Sequence, residues 1–289
     1  MGYIKPKGVT PEKLSQAPFP NHGNTYTVIR HKFLIDASRS LLKTHGFNIL
    51  NEVYTATSNL NIAQGTYHIE SDKDPELGMM FAWSNSYDKS TRFQCGIGAY
   101  VLVCNNGMVS GDLASYARKH TGNADSEAFN HIMSQIKHAD KYFTKLILDK
   151  DELKKVCLSK KEQSELAGRL FMDEELIDAT QMSCIKNEMN KPTYEYDADI
   201  ENAWTFYNHV THALKKSHPR SWMSDQQKFH EFMTAELLSQ SQLNNSDSTI
   251  IVDDEIDPRQ LNIIDIIENG SNFDADMEAQ DEMFDEFKI

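Results

Sequence analysis

The stretch of sequence that decides the fold covers residues 77–111, which read LGMMFAWSNSYDKSTRFQCGIGAYVLVCNNGMVSG. A short apolar run at residues 79–83 leads into a polar break. Residues 92–104 follow, a long run rich in aromatic and β-branched side chains, and Asn106-Gly107 closes it. The pattern predicts strand, polar loop, strand, tight turn and short strand, in that order.

The residues upstream of this stretch predict one helix and two more strands. Apolar side chains recur at helical spacing through residues 28–45, and Gly46 supplies a C-terminal stop. Residues 47–57 and 64–70 then read as strands. The first 27 residues are rich in Pro, Gly and Asn, so they predict an extended arm.

The residues after Gly111 predict helices almost throughout. The first is one long helix whose apolar face extends from residue 129 to residue 147. Helix starts are predicted at Asn123 or Asp125, at the capping box of Ser159 and Glu162, at Asp197 or Asp199, and at the capping box of Ser224 and Gln227.

This order of elements predicts an α+β fold. An antiparallel β-meander is flanked by an N-terminal helix and a long helix, and is followed by a helical half and a disordered acidic C-terminal tail. The predicted organisation is an N-terminal arm at 1–27, an α+β core domain at 28–150, a helical subdomain packed on that core at 151–238, and a polar linker and acidic tail at 239–289.

The net charge of −14 is concentrated in the tail. Residues 253–289 contain thirteen acidic and two basic residues, net −11, which leaves −3 for residues 1–252. A nearly neutral body can carry a basic groove, whereas a uniformly acidic one would repel nucleic acid.

The sequence predicts a cytoplasmic protein, or one in the host-cell cytoplasm if a phage encodes it. No apolar run is long enough to span a membrane, and the N-terminus has no secretory signal. The four cysteines show no C-x-x-C spacing, so we expect them to be reduced.

Motifs for bond-making chemistry are weak, and we expect no enzyme activity, no cofactor and no metal. His209 and His212 share a helical face, but without an HExxH pattern they are better read as surface or interface histidines. Gly96-x-Gly98 sits inside a strand, so it indicates a bulge or a close backbone approach and not a dinucleotide site. Ser86 and Ser90 lack the G-x-S-x-G pattern of a nucleophile elbow.

Aromatic and basic residues cluster around the polar loop, which indicates nucleic-acid binding. Aromatic rings stack on bases while cations contact phosphates. The alternative is that the aromatic residues belong to the core and the lysines only solvate a helix face. The predicted contacts are Lys89, Arg92, Arg118, Lys119, Lys137 and Lys141 for phosphates, and Trp83 and Tyr87 for bases.

The central stretch also resembles a known family. Its motif residues are Asn85, Ser86 and Asp88 in the loop, Arg92 before the long strand, and Cys104, Asn106 and Gly107 at the turn. They are similar to the core motif of the phage/plasmid-like proteins of domain-of-unknown-function family 932, over roughly residues 25–238. The resemblance implies carriage by phages, prophages and plasmids, and no specific reaction.

Two further resemblances concern topology and the tail. The order of core elements resembles that of the Rad-type single-strand-annealing proteins, which implies a homo-oligomeric ring and a basic groove for single-stranded DNA. The acidic tail is similar to the C-terminal tips of single-strand-binding proteins, which implies that Phe284 and Phe287 contact a replication or repair partner. The alternative for the tail is a solubilising disordered end.

We therefore expect a single-stranded DNA-binding, strand-annealing protein of phage or plasmid type, active in recombination or replication. Its phosphate contacts would form one contiguous groove from Arg92 to Lys137 and Lys141. One alternative is a counter-defence protein that inhibits a host restriction or immune factor by direct binding. Another is an enzyme on nucleotides or nucleic acid that uses the 85–88 loop.

Overall fold

The computed structural model describes residues 7–18, 28–109, 116–118, 124–194 and 201–238. The chain divides into two units, Met1–Gln240 and Ser241–Ile289, and all described residues belong to the first. The predicted linker and tail, with Phe284 and Phe287, lie outside the described residues, as does Lys119.

The sheet confirms the predicted antiparallel meander. In the described part of the chain it has seven strands in the order β1-β2-β3-β4-β5-β6, and β7 pairs with β5. Every pairing is antiparallel. The strands are β1 (Lys7–Gly8), β2 (Ile49–Ala56), β3 (Ile62–Ile69), β4 (Leu77–Ser86), β5 (Phe93–Val101), β6 (Gly107–Val109) and β7 (Tyr116–Arg118).

Helices supply the rest of the fold, so the α+β class is confirmed. They are α1 (Pro11–Ser15), α2 (His31–Thr44), α3 (Ala124–Lys137), α4 (Ala139–Lys155), α5 (Lys160–Met172), α6 (Ala179–Asn190), α7 (Ala203–Leu214) and α8 (Trp222–Met233), and a short π-helix follows at Thr234–Leu238. None of the described helices is long and apolar enough to cross a membrane.

Strand β4 lies at the centre of the core, and all ten of its residues are buried. Trp83 lies on the face that packs against α2, since its ring stacks with that of His31. Met80 and Ala82 lie on the other face, where they pack against α8 through Trp222 and Met223. Both faces are covered, so β4 reads as a continuous apolar run instead of an alternating one.

The helical half and the sheet share one interior. Helix α8 contacts β6, α7 contacts α4, and α4 contacts β5. The domain boundary predicted at residue 150 falls inside α4. The capping box of Ser159 and Glu162 starts α5 as predicted, because each of the two side chains accepts a hydrogen bond from the other residue's backbone N–H.

Several predicted boundaries are wrong. The N-terminal arm contains β1 and α1. Helix α8 begins at Trp222, so Ser224 lies inside it, and α7 is capped by Asn202. Residues Asn123, Asp197 and Asp199 lie outside the described residues, and Asp125 lies within α3.

The predicted long helix is two helices. His138 leaves the helical conformation, with φ −103° and ψ 12°, and separates α3 from α4. Helix α4 packs against the loop before β4, where Lys150 and Lys154 pair with Asp74 and Glu76. The apolar periodicity continues through this break, so the sequence pattern does not mark it.

Candidate nucleic-acid interface

The first half of the family motif fastens the end of β4 to the start of α2. The Asn85 side-chain amide donates to the carbonyl of Ile29 at 2.8 Å, and Tyr87 Oη accepts from the backbone N–H of His31 at 2.8 Å. The His31 ring stacks on Tyr87 with ring centroids 3.9 Å apart. These contacts bring residues 29–31 directly beside the β4–β5 loop.

The other residues of this first half of the motif, Ser86 and Asp88, close the β4–β5 loop. Ser86 Oγ donates to the carbonyl of Thr91 at 2.9 Å and accepts from the N–H of the same residue at 3.1 Å. Asp88 Oδ1 accepts from the N–H of Ser90 at 3.0 Å, and Lys89 takes a left-handed conformation with φ +64°. Asn85 and Ser86 belong to β4 and are fully buried, so the structure gives them packing roles. The predicted polar break therefore begins only after Ser86.

We predict that Asn85→Ala lowers the free energy of unfolding by about 2 kcal/mol, because the carbonyl of Ile29 would be buried without its donor. Asp88→Ala is the matched control, since its exposed side chain caps one amide in the same loop. We expect it to cost less than about 1 kcal/mol. Urea denaturation of both variants measures this, and equal losses would show that Asn85 has no special structural role.

The second half of the motif fastens the β5–β6 turn to the helical half. The Asn106 side-chain amide donates to the carbonyl of Asn208 at 3.0 Å, and Lys215 Nζ donates to the carbonyl of Cys104. A Cβ at Gly107 would lie 3.0 Å from the Trp222 ring. Gly107 is the first residue of β6, so the tight turn precedes it.

Basic residues from separate segments meet at the loop end of the β4–β5 hairpin. We name Arg30, Lys89, Arg92 and Arg220 the basic end. All four are exposed. Lys89 and Arg92 belong to the loop, and Arg30 is next to Tyr87, where its charge opposes the burial that raises the pKa of that phenol.

Arg220 reaches the basic end through the α7–α8 connection. Ser84 Oγ donates to the carbonyl of Pro219 at 3.0 Å, which holds residues 218–220 against the end of β4. Burial lowers the pKa of His218, and the charge of Arg220 lowers it further while Asp88 opposes the change. The imidazole is therefore near both the loop carboxylate and Arg220, and its Nδ1 accepts a hydrogen bond from the backbone N–H of Arg220 at 3.1 Å.

Two of the predicted contact residues are core residues. Trp83 is 0% exposed and Tyr87 is 2% exposed, so neither ring offers a face to a base. The sequence did not distinguish a core role from a binding role for these two residues, because large aromatic residues are common in cores and at binding surfaces. The burial of both rings contradicts the prediction that Trp83 and Tyr87 stack on bases.

The predicted lysines Lys137 and Lys141 lie on either side of the junction between α3 and α4. Asp140, at the start of α4, pairs with Lys73 at 2.8 Å, and Lys73 belongs to the loop that precedes β4. Lys137 and Lys141 flank that contact in sequence, whereas Lys89 and Arg92 follow β4. Asp140 thus brings the start of α4, with Lys141, near the start of β4. Lys137 is two residues from Gln135, whose Oε1 lies 3.9 Å from the position of a Cβ at Gly96, and Gly96 pairs with Ala82 in the middle of β4. One contiguous groove from Arg92 to both lysines stays a prediction.

Arg118 belongs to β7, and its backbone pairs with Phe93, the residue after Arg92. The structure thus brings the main chain of Arg118 to the basic end. Arg30 and Arg220 were missed as site residues, since nothing near them in sequence marks their approach to the loop. That approach depends on contacts between residues more than fifty positions apart.

The histidines of α7 do not form a metal site in the described part of the chain. No group of three or more His, Cys, Asp or Glu residues there could hold an ion. His209 is buried, and burial lowers its pKa to about 4. His212 Nε2 lies 3.7 Å from the buried carboxylate of Glu188. These groups pack α6 against α7.

Comparison with known proteins gave one finding. A protein family described as a domain of unknown function, DUF932, matches residues 20–245. Searches of the curated proteins and of the solved structures found no match. The match covers most of the 289 residues, including both halves of the motif, and the chain therefore belongs to the DUF932 family.

Proposed function

We propose that this protein binds single-stranded DNA through the phosphate backbone at the basic end and aligns strands for annealing without bond chemistry. The observation that carries the proposal is the meeting of Arg30, Lys89, Arg92 and Arg220 at one end of the β4–β5 hairpin. Hydrogen bonds hold these separate segments together, so their cationic residues present one charge pattern to a polyanion.

The kind of binding follows from which side chains are exposed. Among the residues whose side-chain burial is described, the exposed large apolar side chains are aliphatic or Met, and none is aromatic. Phosphate contacts therefore supply the affinity, which predicts tolerance of base sequence and a strong dependence on salt. The preference for single strands rests on the resemblance to annealing proteins. We propose the cytoplasm of a cell that carries a phage or plasmid as the setting.

We predict that Arg92→Ala combined with Arg220→Ala weakens binding to a labelled thymidine oligonucleotide about tenfold at low salt. The slope of log affinity against log salt should fall by about 1.4, which is 0.7 for each phosphate that is no longer neutralised. Fluorescence anisotropy across a salt series with the full-length protein measures both quantities. Lys161→Ala is the matched control, because its side chain is 86% exposed on α5.

Three results would count against the proposal. One is no binding by the wild-type protein at low salt, and another is an unchanged salt slope in the double variant. The third is an equal loss with Lys161→Ala, which would indicate general charge attraction. An unlabelled duplex of the same length serves as competitor, and competition as strong as that of the single strand would remove the single-strand preference.

A further inference from the structure

A second candidate surface is the groove between α5 and α6, well separated in sequence from the basic end. It has a volume of about 330 Å³, near the lower limit for ligand pockets. Its apolar lining consists of buried Ala167 and Ile185 and half-buried Met182 and Met189. Met side chains are flexible and polarisable, so such a surface adapts to inserted apolar groups.

Two lysines line the same groove, one from each helix. Lys160 stands at the start of α5 and Lys186 in the middle of α6, and both are exposed. Neither has a carboxylate partner among the described residues, whereas the adjacent Lys161 lies 3.6 Å from Glu165. The α5–α6 groove therefore combines an apolar floor with two positive charges, which suits an acidic peptide with apolar anchors.

The chain itself contains a segment of that chemistry. Residues 276–289 read DMEAQDEMFDEFKI and hold six acidic residues and one basic residue. Met283 and Phe287 are four positions apart, and Phe284 and Phe287 three, so a helical form would place these three side chains on one face. Acidic residues occupy the positions between them.

We propose that the α5–α6 groove binds residues 276–289 of a second copy of this chain. The apolar side chains of the segment would enter the groove, while its carboxylates approach Lys160 and Lys186. Two copies that exchange segments fill both grooves at once, which gives a closed, symmetric dimer. This inference is independent of DNA binding, because none of its residues belongs to the basic end.

The first test measures binding of a fluorescein-labelled peptide of residues 276–289. The receptor is the full-length Phe284→Ala/Phe287→Ala variant, whose own tail lacks the anchors and competes less. Lys160→Glu with Lys186→Glu should weaken the peptide about tenfold, and Lys161→Glu by less than about twofold. A peptide carrying the same two Phe→Ala changes should bind at least about tenfold more weakly.

Equal effects of the groove variant and the Lys161 control, or equal binding of the two peptides, would overturn the proposal. The second test is sedimentation equilibrium of the full-length protein without DNA. We expect a dimer that is absent both in Phe284→Ala/Phe287→Ala and in Lys160→Glu/Lys186→Glu. A monomeric wild-type protein, or a dimer insensitive to both variants, would rule out the exchange between copies.

Discussion

Replacement of Asp74 by alanine is expected to lower the free energy of unfolding by about 3 kcal/mol, because it leaves the ammonium of Lys150 buried without its main partner. Both side chains of the pair are almost fully buried, and Lys150 Nζ lies 2.5 Å from Asp74 Oδ2. Asp74 Oδ1 also accepts from the N–H groups of Glu76 and Leu77, at 2.9 and 2.8 Å. Alanine would remove all three interactions.

The expected loss lies at the low end of the range for buried ion pairs because Lys150 has other carboxylates nearby. Glu76 and Asp151 lie 3.6 and 3.3 Å from its Nζ, and both side chains are partly exposed. The control is Lys155→Ala on the same helix, where both members of the pair with Glu152 are exposed. That change should cost less than about 1 kcal/mol. Urea denaturation that gave the two variants similar stability would contradict the assignment.

The same pair predicts a pH dependence. Burial by itself would raise the pKa of Asp74, but the hydrogen bonds from Lys150 and the two amides outweigh it, so the pKa lies below its usual value. Burial would lower the pKa of Lys150, and Asp74 reverses that effect and raises it. A carboxyl group with a lowered pKa stabilises the fold above its unfolded-state pKa. That contribution is lost as the pH falls through the folded-state pKa.

The difference in stability between wild type and Asp74→Ala should therefore be constant from about pH 5 to pH 9 and shrink below about pH 4. The pKa of Lys150 is raised, so its contribution to stability persists at pH 9 and is lost only as the pH rises through that pKa. Unfolding measured at pH 3, 5, 7 and 9 tests both the constant difference from pH 5 to pH 9 and its decrease in acid. A difference that grew on acidification would be inconsistent with the ion pair.

Replacement of Gly98 by alanine is expected to destabilise the protein by about 3 kcal/mol. A Cβ at Gly98 would lie 2.6 Å from the carbonyl oxygen of Met108 and 2.9 Å from Met80 Cε. The oxygen belongs to the backbone of β6, which pairs with β5 at this position. It can move only if that pairing shifts, so the change resembles overpacking of a rigid core.

Gly96→Ala is a matched control on the same face of the same strand. The nearest atoms to its Cβ, Gln135 Oε1 and Met223 Cε, are both 3.9 Å away, which is ordinary contact. Alanine should be neutral there, or stabilise by up to about 1 kcal/mol because it restricts the unfolded chain. Thermal unfolding separates the two variants, and equal losses at both positions would show that the glycines serve strand flexibility instead.

Much of the fold could be predicted from local pattern. The apolar and β-branched runs on either side of the polar break in residues 77–111 predicted the β4–β5 hairpin, the helical spacing upstream predicted α2, and the capping box predicted the start of α5. The reading of Gly96-x-Gly98 as a close backbone approach is right for Gly98 and wrong for Gly96, because a sequence does not show which neighbour a strand position meets.

The candidate site depended far more on the tertiary structure. The sequence predicted DNA contacts by Trp83 and Tyr87 as well as by Arg92. It also predicted that Lys137 lies in one groove with Arg92. The structure buries the two aromatic residues, and it pairs Asp140, the neighbour of Lys141, with Lys73 in the loop before β4.

Sequence by itself determined the elements whose signals are local: apolar strand runs bounded by polar residues, helical spacing, caps and turns. It also determined the charge division between body and tail, which is a matter of composition. Only the tertiary structure decided that Arg30 and Arg220 join the β4–β5 loop. The hydrogen bonds from Asn85 to Ile29 and from Ser84 to Pro219 span 56 and 135 positions, and a local pattern carries no information about such distant partners.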